Sequence, residues 1–244
     1  MHRFFLTSRP LACNMQVELS PLVSQLHDVL RLKVGTEIVL LDNGGDEFLT
    51  EITHIERRQA TGVVRAQQAC LAEPQLQLTL YQCSLKADKF EWVLQKCSEL
   101  GVSRFVPVIS ERSIVRPAAA LLKKYDRWQE ILREAAEQCG RGKIPELAEP
   151  LSFGEAVRSA KGERLLAWEE KRLGEYEIGG LSAFQISQLP NPQPLNLLIG
   201  PEGGITAGEA ELAQSLGWRA VSLGKRILRA ETAAVAGVAI LMQG

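Results

Sequence analysis

Two glycine-rich loops near the end of the chain are the residues best suited to holding a small ligand. The apolar run Leu197-Leu198-Ile199 continues into Gly200-Pro201-Glu202-Gly203-Gly204, and a second loop follows from Ser222 to Arg229. Glycine leaves backbone N–H and C=O groups uncovered, and α/β proteins bind ligands at the carboxyl ends of their strands. The second loop adds two guanidinium groups before an expected helix. We expect a ligand to occupy the space left by three missing Cβ atoms, those of Gly203, Gly204 and Gly224.

Other motifs that could indicate phosphate or acyl chemistry lack the context they need. Residues 44–48 spell Gly-Gly-Asp-Glu-Phe, the signature of diguanylate cyclases, but only short expected strands precede them. We interpret residues 43–46 as a hairpin turn, because Asn and Gly tolerate positive φ. Gly224-Lys225 is followed by Arg226 rather than Ser or Thr, which excludes a P-loop. No Gly-x-Gly-x-x-Gly follows a strand, and no nucleophile elbow is present.

The composition is that of a globular protein that needs neither a disulfide bridge nor a metal ion to fold. The 244 residues are 45% hydrophobic and 23% charged, which is enough apolar material for a core. The longest apolar run, residues 233–242, falls short of the roughly 18 residues that a membrane span needs. Five dispersed cysteines and three histidines argue for reduced thiols and against a zinc site. The first ten residues lack the apolar stretch of a secretory signal, so we expect a cytoplasmic protein without metal or membrane contact.

The small net charge hides two basic segments. Residues 86–143 carry 12 basic and 8 acidic side chains, and residues 216–244 carry 4 and 1. Basic segments that meet in space form a surface for an anionic partner such as RNA. A solvated, salt-bridged helix face explains the first segment equally well. The charge pattern by itself therefore leaves both alternatives open.

The order of expected elements divides the chain near residue 72. Up to that point short strands, one short helix at 20–30 and glycine turns predict a compact barrel, with strands at 3–6, 16–19, 37–41, 48–56 and 62–67. From residue 76 strands at 76–83, 104–109, 164–168, 195–199 and 220–223 alternate with helices at 89–100, 118–139, 152–159, 206–216 and 231–242. Alternation of this kind predicts an α/β domain with a mostly parallel sheet.

The two glycine-rich loops also carry a specific resemblance. Residues 198–204 followed by Leu223-Gly-Lys-Arg-Ile-Leu-Arg-Ala-Glu-Thr-Ala-Ala234 resemble the bacterial 16S ribosomal RNA uracil-N3 methyltransferases, which belong to the SPOUT class. The segments 27–35, 96–101 and 134–141 extend the likeness over nearly the whole chain. Cys139 is one departure, since a small residue such as serine is expected there.

This resemblance implies a fold and a cofactor. It implies a PUA-like β-barrel at residues 1–72 that helps to hold RNA, followed at 73–244 by a SPOUT methyltransferase domain with a deep C-terminal trefoil knot. Proteins of this class work as homodimers and bind S-adenosylmethionine in the knot. The cofactor-binding residues implied here are Trp168, Glu169, Leu198, Ile199, Gly200, Pro201, Glu202, Gly203, Gly204, Leu223, Gly224, Ile227, Leu228, Thr232 and Ala233.

The implied reaction points to further residues. Loss of the proton from uracil N3 leaves a negative charge that a fixed guanidinium would stabilise, and Arg229 is our first candidate, with Arg141 second. Glu137, Glu202 and Glu231 are candidate proton acceptors, Glu137 being the one we place with the catalytic residues. Expected contacts to the partner, 16S ribosomal RNA or the small ribosomal subunit, come from His27, Arg31, Arg112, Arg133 and Arg226. Two alternatives stay open, a SPOUT methyltransferase for another RNA position and a non-catalytic RNA-binding adaptor.

Overall fold

The chain divides into two units, and one of them is built from two separate stretches of sequence. The structure, a computed structural model, describes residues 1–86, 88–115, 117–168, 179–180 and 194–242. The first unit consists of Met1–Glu73 with Ala136–Ile144, and the second of Pro74–Ala135 with Pro145–Gly244. We expected two contiguous pieces, 1–72 and 73–244, and did not anticipate that residues 136–144 belong to the first unit. Among the described residues no helix is both long and apolar enough to cross a membrane.

The first unit is built on a five-stranded sheet. Its strands are β1 (Arg3–Phe5), β2 (Gln16–Glu18), β3 (Glu37–Leu41), β4 (Asp46–Ile55) and β5 (Ala60–Ala69), in the order β1-β3-β4-β5-β2. β1 pairs with β3 in parallel, and the other neighbours are antiparallel. Helical turns at Ser20–Leu22 and Ser24–Val29 lie between β2 and β3. Alternating apolar residues of these strands, among them Ile38, Leu40, Phe48 and Ile52, form the core.

The Gly-Gly-Asp-Glu-Phe string lies at a hairpin, as predicted. Asn43 and Gly45 join β3 to β4 with φ values of 70° and 103°. The backbone N–H of Gly44 donates to Oδ1 of Asp42 at 2.8 Å. Positive φ at two turn positions is the geometry that Asn and Gly permit, so the string serves the turn.

The segment 136–144 is held in the first unit by polar contacts. The N–H of Phe5 donates to Oε1 of Glu137 at 2.7 Å, and the N–H of Ile144 donates to Oδ1 of Asn43 at 2.7 Å. The guanidinium of Arg141 donates to both carboxylate oxygens of Glu73, at 3.2 and 3.3 Å. These side chains therefore anchor the segment.

The second unit is the α/β arrangement that alternation predicted. Its strands are β6 (Leu78–Cys83), β7 (Arg104–Ile109), β8 (Glu146–Leu147), β9 (Leu151–Ser152), β10 (Glu163–Ala167), β11 (Gly179–Gly180), β12 (Leu195–Ile199) and β13 (Arg219–Ser222). They follow the order β11-β13-β10-β12-β6-β7-β8, with β9 beside β7, and the pairings are parallel. The very short β8, β9 and β11 were not predicted.

Six helices complete the described chain. They are α1 (Asp88–Glu99), α2 (Ala118–Leu122), α3 (Tyr125–Cys139), α4 (Phe153–Ser159), α5 (Ala207–Ser215) and α6 (Ala230–Met242). The single helix expected at 118–139 is two helices, α2 and α3, and the last residues of α3 belong to the first unit. The capping box of Thr206 and Glu209 starts α5 directly after the first glycine-rich loop.

Strand β12 lies in the middle of the second unit's sheet and is its most buried strand. All five residues of β12 are buried, between β10 and β6. A cluster that includes Tyr81, Leu166, Leu198 and Trp218 packs the sheet against α4 and α5. Since neighbouring strands are parallel, their carboxyl ends meet at one edge of the sheet. The trefoil knot stays a prediction, because the chain between Trp168 and Pro194 includes residues outside the described part.

Candidate functional site

A cavity of about 360 Å³ lies at the carboxyl ends of β10, β12 and β13. Its walls come from the two glycine-rich loops, the start of α6 and one side chain of α1. The lining residues are Lys89, Ala167, Trp168, Ile199, Gly200, Pro201, Glu202, Gly204, Ile205, Val221, Leu223, Ile227, Leu228, Arg229, Ala230 and Ala233. Both loops suspected from the sequence therefore border one cavity, because β10 separates β12 from β13 in the sheet and all three strands run in the same direction.

The first glycine-rich loop turns sharply at Gly204. The N–H of Gly204 donates to the carbonyl of Pro201 at 2.9 Å, and φ of Gly204 is 73°. An L side chain rarely adopts this backbone conformation, so the turn depends on glycine. Gly203 has a different role from the one we expected. A Cβ added there would come 3.0 Å from Cβ of Arg112, so its missing side chain makes room for Arg112 rather than for a ligand.

The second glycine-rich loop contributes apolar wall and one backbone turn. Gly224 has φ of 120°, its N–H donates to Oγ of Ser222 at 3.2 Å, and nothing lies within 4 Å of an added Cβ. Ile227 is 87% exposed although it borders the cavity. Leu228 borders it as well, so the mouth of the cavity is an apolar surface in contact with solvent.

The first turn of α6 forms the wall that carries Arg229. The exposed side chain of Arg229 borders the cavity, and its backbone carbonyl accepts the N–H of Ala233 at 2.8 Å. Ala230 and Ala233 are buried and border the cavity. Their small side chains let the helix lie against this space without filling it.

An ionic cluster closes one side of the cavity. Nζ of Lys89 lies 3.2 Å from Oε1 of Glu231 and 3.8 Å from Oε1 of Glu202. The backbone N–H of Lys86 also donates to Oε1 of Glu202, at 3.1 Å. Burial alone would raise the pKa of Glu231, but a hydrogen bond from its own backbone N–H and the positive charges of Lys89 and Arg229 outweigh that effect and lower the pKa. Glu231 is therefore ionised and a weak proton acceptor.

The indole of Trp168 is an unusual wall residue. It is 5% exposed and borders the cavity, and within the described part of the chain its Nε1 has no hydrogen-bond partner. A buried donor without a partner costs about 1–3 kcal/mol, so such groups are usually matched by a ligand or water. The cavity therefore combines an apolar lining with an unmatched donor and exposed backbone.

Most of the residues predicted to bind the cofactor border this cavity. Those that do are Trp168, Ile199, Gly200, Pro201, Glu202, Gly204, Leu223, Ile227, Leu228 and Ala233. Four others do not line it: Leu198 is buried in the core, Gly203 adjoins Arg112, and Gly224 and Thr232 are exposed. Glu169 lies outside the described residues. Sequence reasoning missed Lys89, Ala167, Ile205, Val221 and Ala230.

Comparison with known proteins identifies the family. Residues 72–242 match the model of an RNA methyltransferase domain, and residues 28–65 match that of an RNA methyltransferase PUA domain. The ribosomal RNA small subunit methyltransferase E of Synechocystis sp. is 36% identical over 88% of this chain and 70% of its own length. The protein of the same name from Bacillus subtilis is 30% identical over 96% of this chain and 93% of its own length. The chain belongs to the ribosomal RNA small subunit methyltransferase E family.

Solved structures of similar proteins agree with this family. A small subunit methyltransferase E from Neisseria gonorrhoeae, bound to S-adenosylmethionine, is 31% identical with a TM-score of 0.85 over 100% of this chain and 97% of its own. A methyltransferase from Legionella pneumophila in complex with the same cofactor is 30% identical with a TM-score of 0.83, over 99% of this chain and 96% of its own. The resemblance drawn from the sequence is confirmed, as is an α/β fold preceded by a PUA-like unit.

In this member of the methyltransferase E family, the other predicted residues are distributed over both units. Arg141 and Glu137 belong to the first unit. The side chain of Arg141 is only 4% exposed and pairs with Glu73. Nδ1 of His27 lies 2.8 Å from Oδ1 of Asp28, and Arg31 is exposed with φ of 52°. Three more predicted RNA contacts belong to the second unit, Arg112, Arg133 and Arg226. Their functional roles stay predictions.

Arg112 is the predicted RNA contact with a defined local role. Its Nη1 donates to the carbonyl of Gly203 at 3.1 Å, which ties the loop after β7 to the first glycine-rich loop.

In the described part of the chain, His, Cys, Asp and Glu side chains form no group that could hold a metal ion.

Proposed function

We propose that this protein transfers a methyl group from S-adenosylmethionine to N3 of a uridine in 16S ribosomal RNA of the small subunit. The observation that carries the proposal is the cavity bordered by both glycine-rich loops at the carboxyl edge of the parallel sheet. Its support is the family, whose member from Neisseria gonorrhoeae binds S-adenosylmethionine. The PUA-like first unit would help to hold the RNA, and we expect the reaction in the cytoplasm, where ribosomal subunits are assembled.

The lining of the cavity fits this cofactor. Backbone at Gly204 and Leu223 can meet its polar groups, and Ile199, Ile205 and Leu228 offer apolar surface for its adenine ring. The unmatched indole N–H of Trp168 can donate to a ligand acceptor. When bound, S-adenosylmethionine supplies a strongly electrophilic methyl group. The tasks left to the protein are to orient the base, to exclude water and to ease loss of the N3 proton.

The target uridine must be unpaired. N3 carries an imide proton on the Watson–Crick edge, which is inaccessible inside a duplex, so the base must be single-stranded or flipped out. The exposed apolar surface of Ile227 at the mouth of the cavity suits contact with an unstacked base. Arg226, in the same loop, is exposed and can contact phosphate.

Arg229 is the residue we assign to charge stabilisation. Arg229 borders the cavity, and its exposed guanidinium can donate to the carbonyl oxygens of a uracil that is losing its proton. Glu202 and Glu231 are held by Lys89, and the lowered pKa of Glu231 makes it a poor base. Arg141 and Glu137 remain our further candidates, although both also anchor the segment 136–144.

The decisive experiment is methyl transfer from labelled S-adenosylmethionine to small subunits and to free 16S ribosomal RNA, followed by identification of the modified nucleoside. We expect 3-methyluridine as the product. A different methylated nucleoside would contradict the assigned position, and no transfer to either substrate would contradict the catalytic assignment in favour of an RNA-binding adaptor.

We also propose that the protein acts as a homodimer. Helices α1 and α6 pack together, and each presents a large apolar side chain to solvent, Trp92 at 42% and Ile240 at 38% exposure. Apolar groups on adjacent helices are typical of an obligate interface. Light scattering should give twice the monomer mass of 26.9 kDa. A monomer mass at micromolar concentration would contradict the proposal.

A further inference from the structure

Lys89 lies where three separate segments of the second unit meet. It stands in the first turn of α1, which follows β6, and its side chain borders the cavity. Its Nζ contacts Glu202 of the first glycine-rich loop at 3.8 Å and Glu231 of α6 at 3.2 Å. One ammonium on α1 therefore joins the first glycine-rich loop to the start of α6.

The surroundings of this ammonium make its contacts stronger than those of a surface pair. The side chains of Lys89, Glu202 and Glu231 are 32%, 22% and 16% exposed, so water screens them only in part. Without Lys89, Glu202 would keep the N–H of Lys86 and Glu231 would keep its own backbone N–H, but the two carboxylates would lose the cation that they share. Two carboxylates without a shared cation repel each other, so the first glycine-rich loop and the start of α6, which carry them, would move apart.

We propose that Lys89 is a positioning residue of the cofactor site, whose ammonium holds the first glycine-rich loop and the start of α6 at the separation that S-adenosylmethionine requires. The inference rests on the proposed function, since it takes the cavity as the cofactor site. Lys89 acts through Glu202 and Glu231. Its loss should therefore weaken cofactor binding and leave the reaction of the fully bound enzyme intact.

The same helix offers a matched control. Lys96 also lies on α1 and also pairs with a glutamate, Oε1 of Glu99 at 2.9 Å, but it does not border the cavity. If the pairs only stabilise the helix, loss of either lysine should have the same small effect. If Lys89 positions the loops, only its replacement should change cofactor affinity.

The test measures the dissociation constant of S-adenosylmethionine by calorimetry, and kcat at saturating cofactor, for the full chain. Lys89→Met keeps most of the aliphatic stem, and we expect the dissociation constant to rise roughly tenfold, which corresponds to about 1.4 kcal/mol. kcat should stay within about twofold, Lys89→Arg should restore most of the affinity, and Lys96→Met should bind as the parent does.

A second variant keeps the test informative if Lys89→Met folds poorly. Glu231→Gln should also weaken binding, because it removes the charge on α6 that Lys89 holds while Lys89 itself stays in place; parent-like affinity in Glu231→Gln would overturn the inference. Parent-like affinity in Lys89→Met, or an equal loss in Lys96→Met, would overturn the inference. Absence of S-adenosylmethionine binding to the parent would instead overturn the proposed function on which it rests.

Discussion

Replacement of Arg229 by alanine separates catalysis from cofactor binding. The side chain borders the cavity but is exposed, so it can approach a substrate without first being released from a buried ion pair. The contact that Arg229 makes within α6 is through its backbone carbonyl, which accepts the N–H of Ala233 at 2.8 Å. Alanine retains that carbonyl. The variant should therefore keep the helix start and lose only the guanidinium.

The size of the expected effect follows from the charge that the guanidinium would stabilise. A unit charge about 4 Å from another gains roughly 4 kcal/mol near a protein surface, which is an upper limit for an exposed group. Loss of one donor to a developing oxyanion lowers kcat by about 10²–10³. We expect a loss of this size for Arg229→Ala. Affinity for S-adenosylmethionine should change little, because its cationic sulfonium gains nothing from a nearby guanidinium.

The assay is single-turnover methylation at saturating cofactor and RNA, together with calorimetric cofactor binding and thermal unfolding. Lys225→Ala is a matched control, because Lys225 is an exposed cation of the same loop that does not border the cavity. If Arg229→Ala turns over at the parent rate, Arg229 has no role in the chemistry, and Arg141 becomes the next residue to test. If cofactor binding and stability fall together instead, the residue serves only to hold the loop.

Three further predictions concern the turn, the buried ion pair and the indole. Gly204→Val should abolish calorimetric cofactor binding because φ of 73° strains a β-branched residue, whereas Gly208→Ala, in open space on α5, should bind normally. Glu73→Ala should lower the free energy of unfolding in urea by about 3 kcal/mol, since it leaves the buried guanidinium of Arg141 without this carboxylate; an unchanged midpoint would contradict this. Trp168→Phe should weaken S-adenosylmethionine binding several-fold without lowering the melting temperature of the free protein, because the lost N–H has no partner among the described residues. Equal cofactor affinity would show that the indole N–H does not meet the ligand.

Local patterns in the sequence were enough to predict the main elements. The apolar run of β12 followed by glycines, and the capping residues Thr206 and Glu209 before α5, act over a few neighbouring positions, so they can be recognised without coordinates. The break between α2 and α3 was missed, since the two residues between them, Lys123 and Lys124, are good helix formers. The resemblance carried by the two loops supplied the family and the cofactor.

What the sequence determined by itself was thus the order of strands and helices, the hairpin at Asn43–Gly45 and the presence of two glycine-rich loops. Only the tertiary structure decided which residues meet around those loops. Lys89 and Glu231 are 142 positions apart, and they come together because the sheet places β6, β12, β10 and β13 side by side in an order that differs from the chain order. The direction of the missing Cβ of Gly203, toward Arg112, depends in the same way on the packing of a distant loop. Local propensities act over a few residues, whereas contacts of this kind depend on the pairing of strands that are far apart in the chain.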